Sequence, residues 1–360
     1  MPFIQTRQLA DQVWTAGEFK QVDHSGLIFD KFHIDYDVTL TTSGAAATVA
    51  EEGAAGYATE FELMQDNEPA VRVPLADLRV LDALASASTT DMVTATANNG
   101  VAELGLDIDF QYWTPGAHFD ATERQVHSRM RLEANTTIAD TATNSTGTIR
   151  QSVAEVGSLP GAAYRPRWSQ TVLDIGQESR DIQHSITFDR TTVVTGMLVR
   201  VRDASASQGT DPFAKRSDGL VRNLEFELVG NDRVQKRSRF TWDQLKKLTA
   251  RRFGLSKAEA EASDFNGVAY IPLDEPGSDF GAVRFNRGAV LNLHFDTQST
   301  PPAQYTAVTP ANGDQVFVTL IGALPVQTPE AATRNAARQT SGGRTRRRSS
   351  GPLRRQARVS

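Results

Sequence analysis

Apolar residues at every second position mark strands along most of this chain. In HIDYDVTL the side chains of Ile34, Tyr36, Val38 and Leu40 alternate with His33, Asp35, Asp37 and Thr39, the period of a strand with one buried face. LDIDF repeats the pattern with Leu106, Ile108 and Phe110, and AVLNLHF with Val290 or Leu291, Leu293 and Phe295. Helical spacing of three and four is confined to LADLRVLDAL after Pro74, WDQLKKLTARRFG after Thr241 and a shorter SKAEAEASDF after Ser256. Thr241 and Ser256 can each accept a hydrogen bond from the open N–H groups of a first helical turn. SGAAATVAEEGAAG, SASTTDMVTATANN and TTIADTATNSTGT are small, polar and threonine-rich, which suits long connections or edge strands. Many short strands with few helices predict antiparallel β-sandwiches.

The pattern occurs twice. Asn99-Gly100-Val101-Ala102 recurs as Asn266-Gly267-Val268-Ala269, an offset of 167, while Phe61-Glu62-Leu63 recurs as Phe226-Glu227-Leu228 at 165. VPLADLRVL from Val73 matches FTWDQLKKL from Phe240 at 167, so a two-residue insertion falls before Val73. The strand Phe32, Ile34, Tyr36 maps at 165 onto Met197, Val199, Val201, and Ile149, Gln151, Val153 maps at 167 onto Val316, Val318, Leu320. Collinearity across more than a hundred residues reads as duplication of one unit. A length of 360 residues also favours two cores over one.

Composition changes the picture at one end only. Of 38 basic and 43 acidic residues, nine basic and no acidic ones lie beyond Glu330, leaving 29 against 43 and a net of -14 for residues 1–330. The nine are Arg334, Arg338, Arg344, Arg346, Arg347, Arg348, Arg354, Arg355 and Arg358. The segment has almost nothing to bury and is expected to be disordered. Arginine forks suit phosphate oxygens of nucleic acid or of anionic lipid headgroups. With no aromatic residue between them, contact is expected to be sequence-blind. No apolar run approaches a membrane span, and the mixed start MPFIQTRQLADQVWTAG lacks a signal core, so the chain is expected to remain in the cytoplasm that makes it. The absence of cysteine rules out disulfides and thiolate metal sites.

Familiar catalytic patterns are missing: there is no G-x-x-x-x-G-K-[ST], G-x-G-x-x-G or H-E-x-x-H. His33, Asp35 and Asp37 share one strand face and could offer oxygen ligands to calcium, though a solvated outer face explains them better. Asp107 and Asp109 have the look of a two-carboxylate hydrolase pair, which alternation alone also explains. His127 near Arg129 and Arg131, His294 beside Asp296, and Ser158 and Ser185 lack any context for catalysis. No cofactor, metal or catalytic residue is assigned.

Two copies marked by NGVA and FEL, a helix after each FEL strand and the amphipathic TRQLADQVW resemble the double jelly-roll major capsid proteins of tailless icosahedral viruses, over residues 19–326. The resemblance implies an all-β fold of two tandem jelly rolls with a few short helices. Its parts would be an N-terminal arm (1–18), a first roll (19–156), a connection (157–184), a second roll (185–326) and a basic tail (327–360). It further implies a non-enzymatic virion protein, made in the host cytoplasm. Its partners would be further copies in a homotrimeric, pseudo-hexagonal tile, other capsid proteins, and packaged nucleic acid or an internal membrane at the tail. The alternatives are a double jelly-roll glycan-cleaving enzyme, or a carbohydrate- or nucleic-acid-binding sandwich that stacks ligands on Trp113, Trp168 or Trp242.

Overall fold

The alternating segments fold as sixteen principal strands, eight in each half. The first eight are β1 (Ile4–Gln8), β2 (Phe19–His24), β3 (Ile28–Thr42), β4 (Glu60–Gln65), β5 (Glu68–Val73), β6 (Gly100–Asp109), β7 (Val126–Arg131) and β8 (Ala142–Val156). The second eight are β9 (Tyr164–Asp174), β10 (Ile182–Thr187), β11 (Thr192–Arg202), β12 (Val221–Gly230), β13 (Arg233–Thr241), β14 (Val268–Pro272), β15 (Val290–Thr297) and β16 (Gln315–Pro325). This computed structural model describes residues 4–9, 11–42, 47–88, 92–122, 124–133, 138–156, 164–176, 181–230, 233–273 and 283–325.

Each half forms two facing sheets with the same order. The first half pairs as β1-β8-β3-β6 and β2-β7-β4-β5, the second as β9-β16-β11-β14 and β10-β15-β12-β13. This is the jelly-roll path, traced twice. β9 lies parallel to β5, with Trp168 opposite Val71 and Ser169 opposite Arg72, so one sheet runs continuously through both rolls. The repeat extends to register. Phe32, Ile34 and Tyr36 on β3 face Val153, Gln151 and Ile149 on β8, and their counterparts Met197, Val199 and Val201 on β11 face Leu320, Val318 and Val316 on β16. The sixth strand departs from this match. Ile34 faces Leu106, whereas Val199 faces Ala269, so NGVA has slid four residues along the third strand. An even slide keeps each side chain on its original face.

Strand membership begins earlier than the pattern marks it. β1 falls within residues 1–18, read as an arm, and β9 and the start of β10 fall within 157–184, read as a connection. Each roll's first strand pairs with its last, so nothing local in the sequence ties them together. TNSTGT, read as connection or edge, opens β8, an interior strand. Gly147 is required there because a Cβ would overlap the backbone of Asp37 and Val38.

The helices begin where their caps lie. α1 (Leu75–Ser86) follows Pro74, and the four-residue α2 (Phe110–Trp113) follows β6. α3 (Trp242–Phe253) opens on a reciprocal Thr241–Gln244 capping box and stops at Gly254, whose φ of 68° an L side chain rarely adopts. Ser256 and Glu259 form a second box, but α4 (Lys257–Ala260) runs for only four residues. Val199, Val201, Val316 and Val318 face the interior of the second roll. On the opposite face of that sheet Trp168, Leu198, Val268, Tyr270 and Ile321 join the apolar core of the first roll. Burial on both faces explains why β14 is wholly buried and β11 and β16 nearly so, with Arg200 and Thr319 among the buried polar exceptions.

Candidate functional site

The most concentrated chemistry lies where the rolls meet, and it is ionic. α1 directs Asp77 at β11, where Arg200 Nε donates to Asp77 Oδ1 at 2.9 Å and Arg200 Nη1 to Glu52 Oε1 at 2.7 Å. Arg216 clasps the same Glu52, with Nε at 3.0 Å and Nη2 at 2.5 Å. Gln170 Nε2 of β9 and Thr319 Oγ1 of β16 also donate to Asp77, so its carboxylate binds three strands of the second roll. Arg79 Nη2 reaches Asp264 at 3.3 Å, and at the rim Arg202 Nε donates to Glu51 at 2.7 Å. Phe213 lies between Arg79 and Arg216, whose guanidinium carbons stand 4.5 and 4.4 Å from its ring centre.

Glu52, Asp77, Arg79, Arg200 and Arg216 are all buried. Buried charges of this kind persist only when paired, and here nearly every one is paired with a partner from the other roll. Burial works against the charge on Glu52, but the guanidiniums of Arg216 and Arg200 outweigh it and hold the carboxyl at about 2. For Arg200, burial lowers the pKa while Glu52 and Asp77 raise it, and the carboxylates win. Glu52 also sits at φ 65°, a left-handed conformation uncommon outside glycine. Its N–H donates to Pro212 O at 2.9 Å, and Val49 N to Gly209 O at 3.0 Å, so backbone bonds as well as ion pairs cross the junction. The arrangement can do no evident chemistry. It locks two rolls into one rigid block.

The sequence candidates fall elsewhere. The nine tail arginines, Arg334 to Arg358, lie outside the described residues, as does Ser158. Asp37 is paired with Arg150 at 3.1 Å, and His33 is hydrogen-bonded to Asp107, so the strand face weighed for calcium is already partnered in part. Lys31 neutralises Asp109 at 2.7 Å. Asp296 accepts from Asn223 and Arg239, and His294 from β15 meets Asp181. Ser185 donates to Asn292 at 2.7 Å. Trp113, Trp168 and Trp242 are all buried, with Trp242 Nε1 donating to Asp218 at 2.7 Å, so none offers a stacking surface. Among the described residues one triad, Glu225, Glu227 and His294, brings possible metal-ligating atoms within 4.8 Å of one another. Arg237 already pairs with both carboxylates. The junction network leaves little trace in the sequence because its ion pairs join residues more than a hundred positions apart, from 123 for Asp77–Arg200 to 185 for Arg79–Asp264. The one available signal was the placing of Asp77 and Arg79 among the apolar residues of the first turns of α1.

No protein-family model matches this sequence, and a search of curated proteins finds no match. Solved structures do match. A chain of the Sulfolobus turreted icosahedral virus structure is 15% identical, with a TM-score of 0.64 over 94% of this chain and 98% of that one. A chain of the PBCV-1 virus capsid is 12% identical, with a TM-score of 0.57 over 90% and 95%. The major capsid protein of bacteriophage PM2 is 10% identical, with a TM-score of 0.52 over 91% and 99%. The strand order found here and these near full-length superpositions agree: the chain has the double jelly-roll fold of these viral proteins.

Proposed function

We propose that this is a structural capsid protein, without enzymatic activity, whose copies assemble as trimers into the tiles of an icosahedral shell. The observation that carries this reading is the match of both rolls together to capsid proteins along nearly their whole length. The junction is consistent with it, since a tile that tolerates no hinge needs its two rolls fixed. In this reading the tail, with nine arginines and no acid, attaches the shell to packaged nucleic acid or to acidic lipid. The remainder carries -14 and would be repelled by either partner, so attraction must come from the tail. A flexible linker of thirty residues spans roughly 30 Å, well beyond a Debye length of about 8 Å. Light scattering of the full chain should give the mass of three copies. Truncation after Glu330 should leave thermal stability and that mass unchanged while abolishing salt-sensitive binding to DNA or anionic vesicles. Equal binding by truncated and full-length protein at low salt would remove the tail's role.

A further inference from the structure

The duplication makes one contact visible twice, once satisfied and once open. Within the chain, α1 presents Asp77, Val80 and Leu84 along one helical face, spaced three and seven residues apart. Asp77 on that face meets Arg200, Gln170 and Thr319 on the outer side of sheet β9-β16-β11-β14. The offset of 167 carries the three positions onto Gln244, Lys247 and Arg251 of α3. Val80 and Leu84 are completely buried, whereas Gln244, Lys247 and Arg251 are exposed, with 72% of the Lys247 side chain open to solvent. The cleft at the start of the helix behaves likewise. In the first roll it is lined by Pro74 and Ala76 and walled by Gln170, Arg200 and Phe317 of the second roll. The equivalent cleft at Thr241 and Asp243 is a cavity of about 780 Å³ that, among the described residues, only the second roll lines.

The receiving surface is also duplicated. Arg200 and Thr319, which hold Asp77, correspond at 165 and 167 to Asp35 and Ser152 on the outer face of sheet β1-β8-β3-β6. There His33, Asp35, Asp107 and Ser152, together with Asp82, Ser86 and Ser88 from α1 and its end, line a groove of about 600 Å³. Inside the chain, an anion on the helix meets a cation on the sheet. At the second pair of surfaces the signs are exchanged, with Lys247 and Arg251 on the helix and Asp35 and Asp107 on the sheet. Among the described residues Lys247 pairs only with Asp243 of its own helix, at 2.6 Å, and Asp107 with His33 of the neighbouring strand, so both remain at the surface for a partner.

We infer that a second copy of this chain docks through these two surfaces, the exposed face of its α3 seating on the outer face of β3 and β6 and so repeating between molecules the contact that α1 makes within one. The inference rests on the trimer reading and names its interface. The contact is heterologous: each copy offers one helix face and one sheet face, so a closed ring satisfies all of them. Exchanging the signs also specifies the pairing, because a helix of either roll placed on the wrong sheet brings like charges together.

The test is a charge swap in the full-length chain, read by mass photometry and light scattering across concentration, with circular dichroism and thermal melting to verify folding. Lys247→Glu with Arg251→Glu changes only exposed helix positions. Asp35→Lys with Asp107→Lys changes the sheet face. Each pair alone should raise the concentration for half-assembly by about tenfold or more. All four together should bring it back towards that of the parent. If the parent forms trimers and both altered proteins assemble just as well, the interface lies elsewhere and this inference fails while the trimer reading stands. Loss of assembly in both without recovery in the combined protein also overturns the pairing. A parent that stays a single chain at every concentration overturns the trimer reading itself.

Discussion

The two rolls hold a buried cation at the same place in the same helix and use it differently. Arg79 and Lys246 are related by the offset of 167, and both are buried. Arg79 faces the other roll and joins the ionic junction through Asp264. Lys246 turns inward, lying 3.3 Å from Asp218 and donating to Phe265 O at 2.7 Å within its own roll. For Asp218 burial pushes the carboxyl up and for Lys246 it pulls the amine down, in each case against their mutual attraction. The same inherited position has become a coupling between rolls in one copy and an internal brace in the other. What differs is which way the position points, since α3 meets the first roll at its far end, where Phe253 packs 5.6 Å from Trp113, and keeps Lys246 for its own roll.

That contrast can be broken most sharply at Arg200. Arg200→Met leaves Glu52 and Asp77 buried with fewer partners and should cost about 3–5 kcal/mol by denaturant unfolding. The two rolls should then melt in separate steps. Lys246→Met leaves Asp218 still accepting from Trp242 and from the Gly267 N–H, so a smaller loss of about 1–3 kcal/mol and a single transition are expected.

Acid should separate the rolls along a different line. The buried histidines, His24, His118 and His127, all belong to the first roll. Neither ring nitrogen of His24 has a hydrogen-bond partner among the described residues, and its ring lies 5.4 Å from Phe29 and 5.8 Å from Phe32. Burial pulls its pKa down from 6.5 to about 4. The unfolded chain therefore binds a proton that the folded chain refuses, and stability present above pH 6.5 is lost as pH falls towards 4. The loss attributable to His24 is at most about 3 kcal/mol. His24→Phe should flatten that slope in a series of melts from pH 7 to 4, and an unchanged slope would assign the acid response to other groups. The smallest effect belongs to the helix cap. Thr241→Ala removes the acceptor for the Gln244 N–H and should cost about 1 kcal/mol in thermal unfolding, without altering the junction.

Much of the fold was legible in the sequence because its evidence is local. Alternation placed β3, β6 and β15, Thr241 opened α3, and the collinear offsets relate strands whose β3–β8 and β11–β16 registers prove equivalent. What stayed hidden depends on partners distant in the chain. β1 and β9 are recognisable only by the last strands they pair with, and Glu52 has no pattern at all. Its neighbours Arg200 and Arg216 come from the other roll. The tryptophans misled in the alternative binding reading because a stacking surface and a core residue look alike until burial is known.

Electron microscopy of the purified full-length protein tests the central claim most directly. The account predicts flat particles of three chains with a six-lobed outline, one lobe for each roll, or closed shells built from them. Discrete monomers with two lobes and no larger assembly, at concentrations where shell proteins associate, would contradict it.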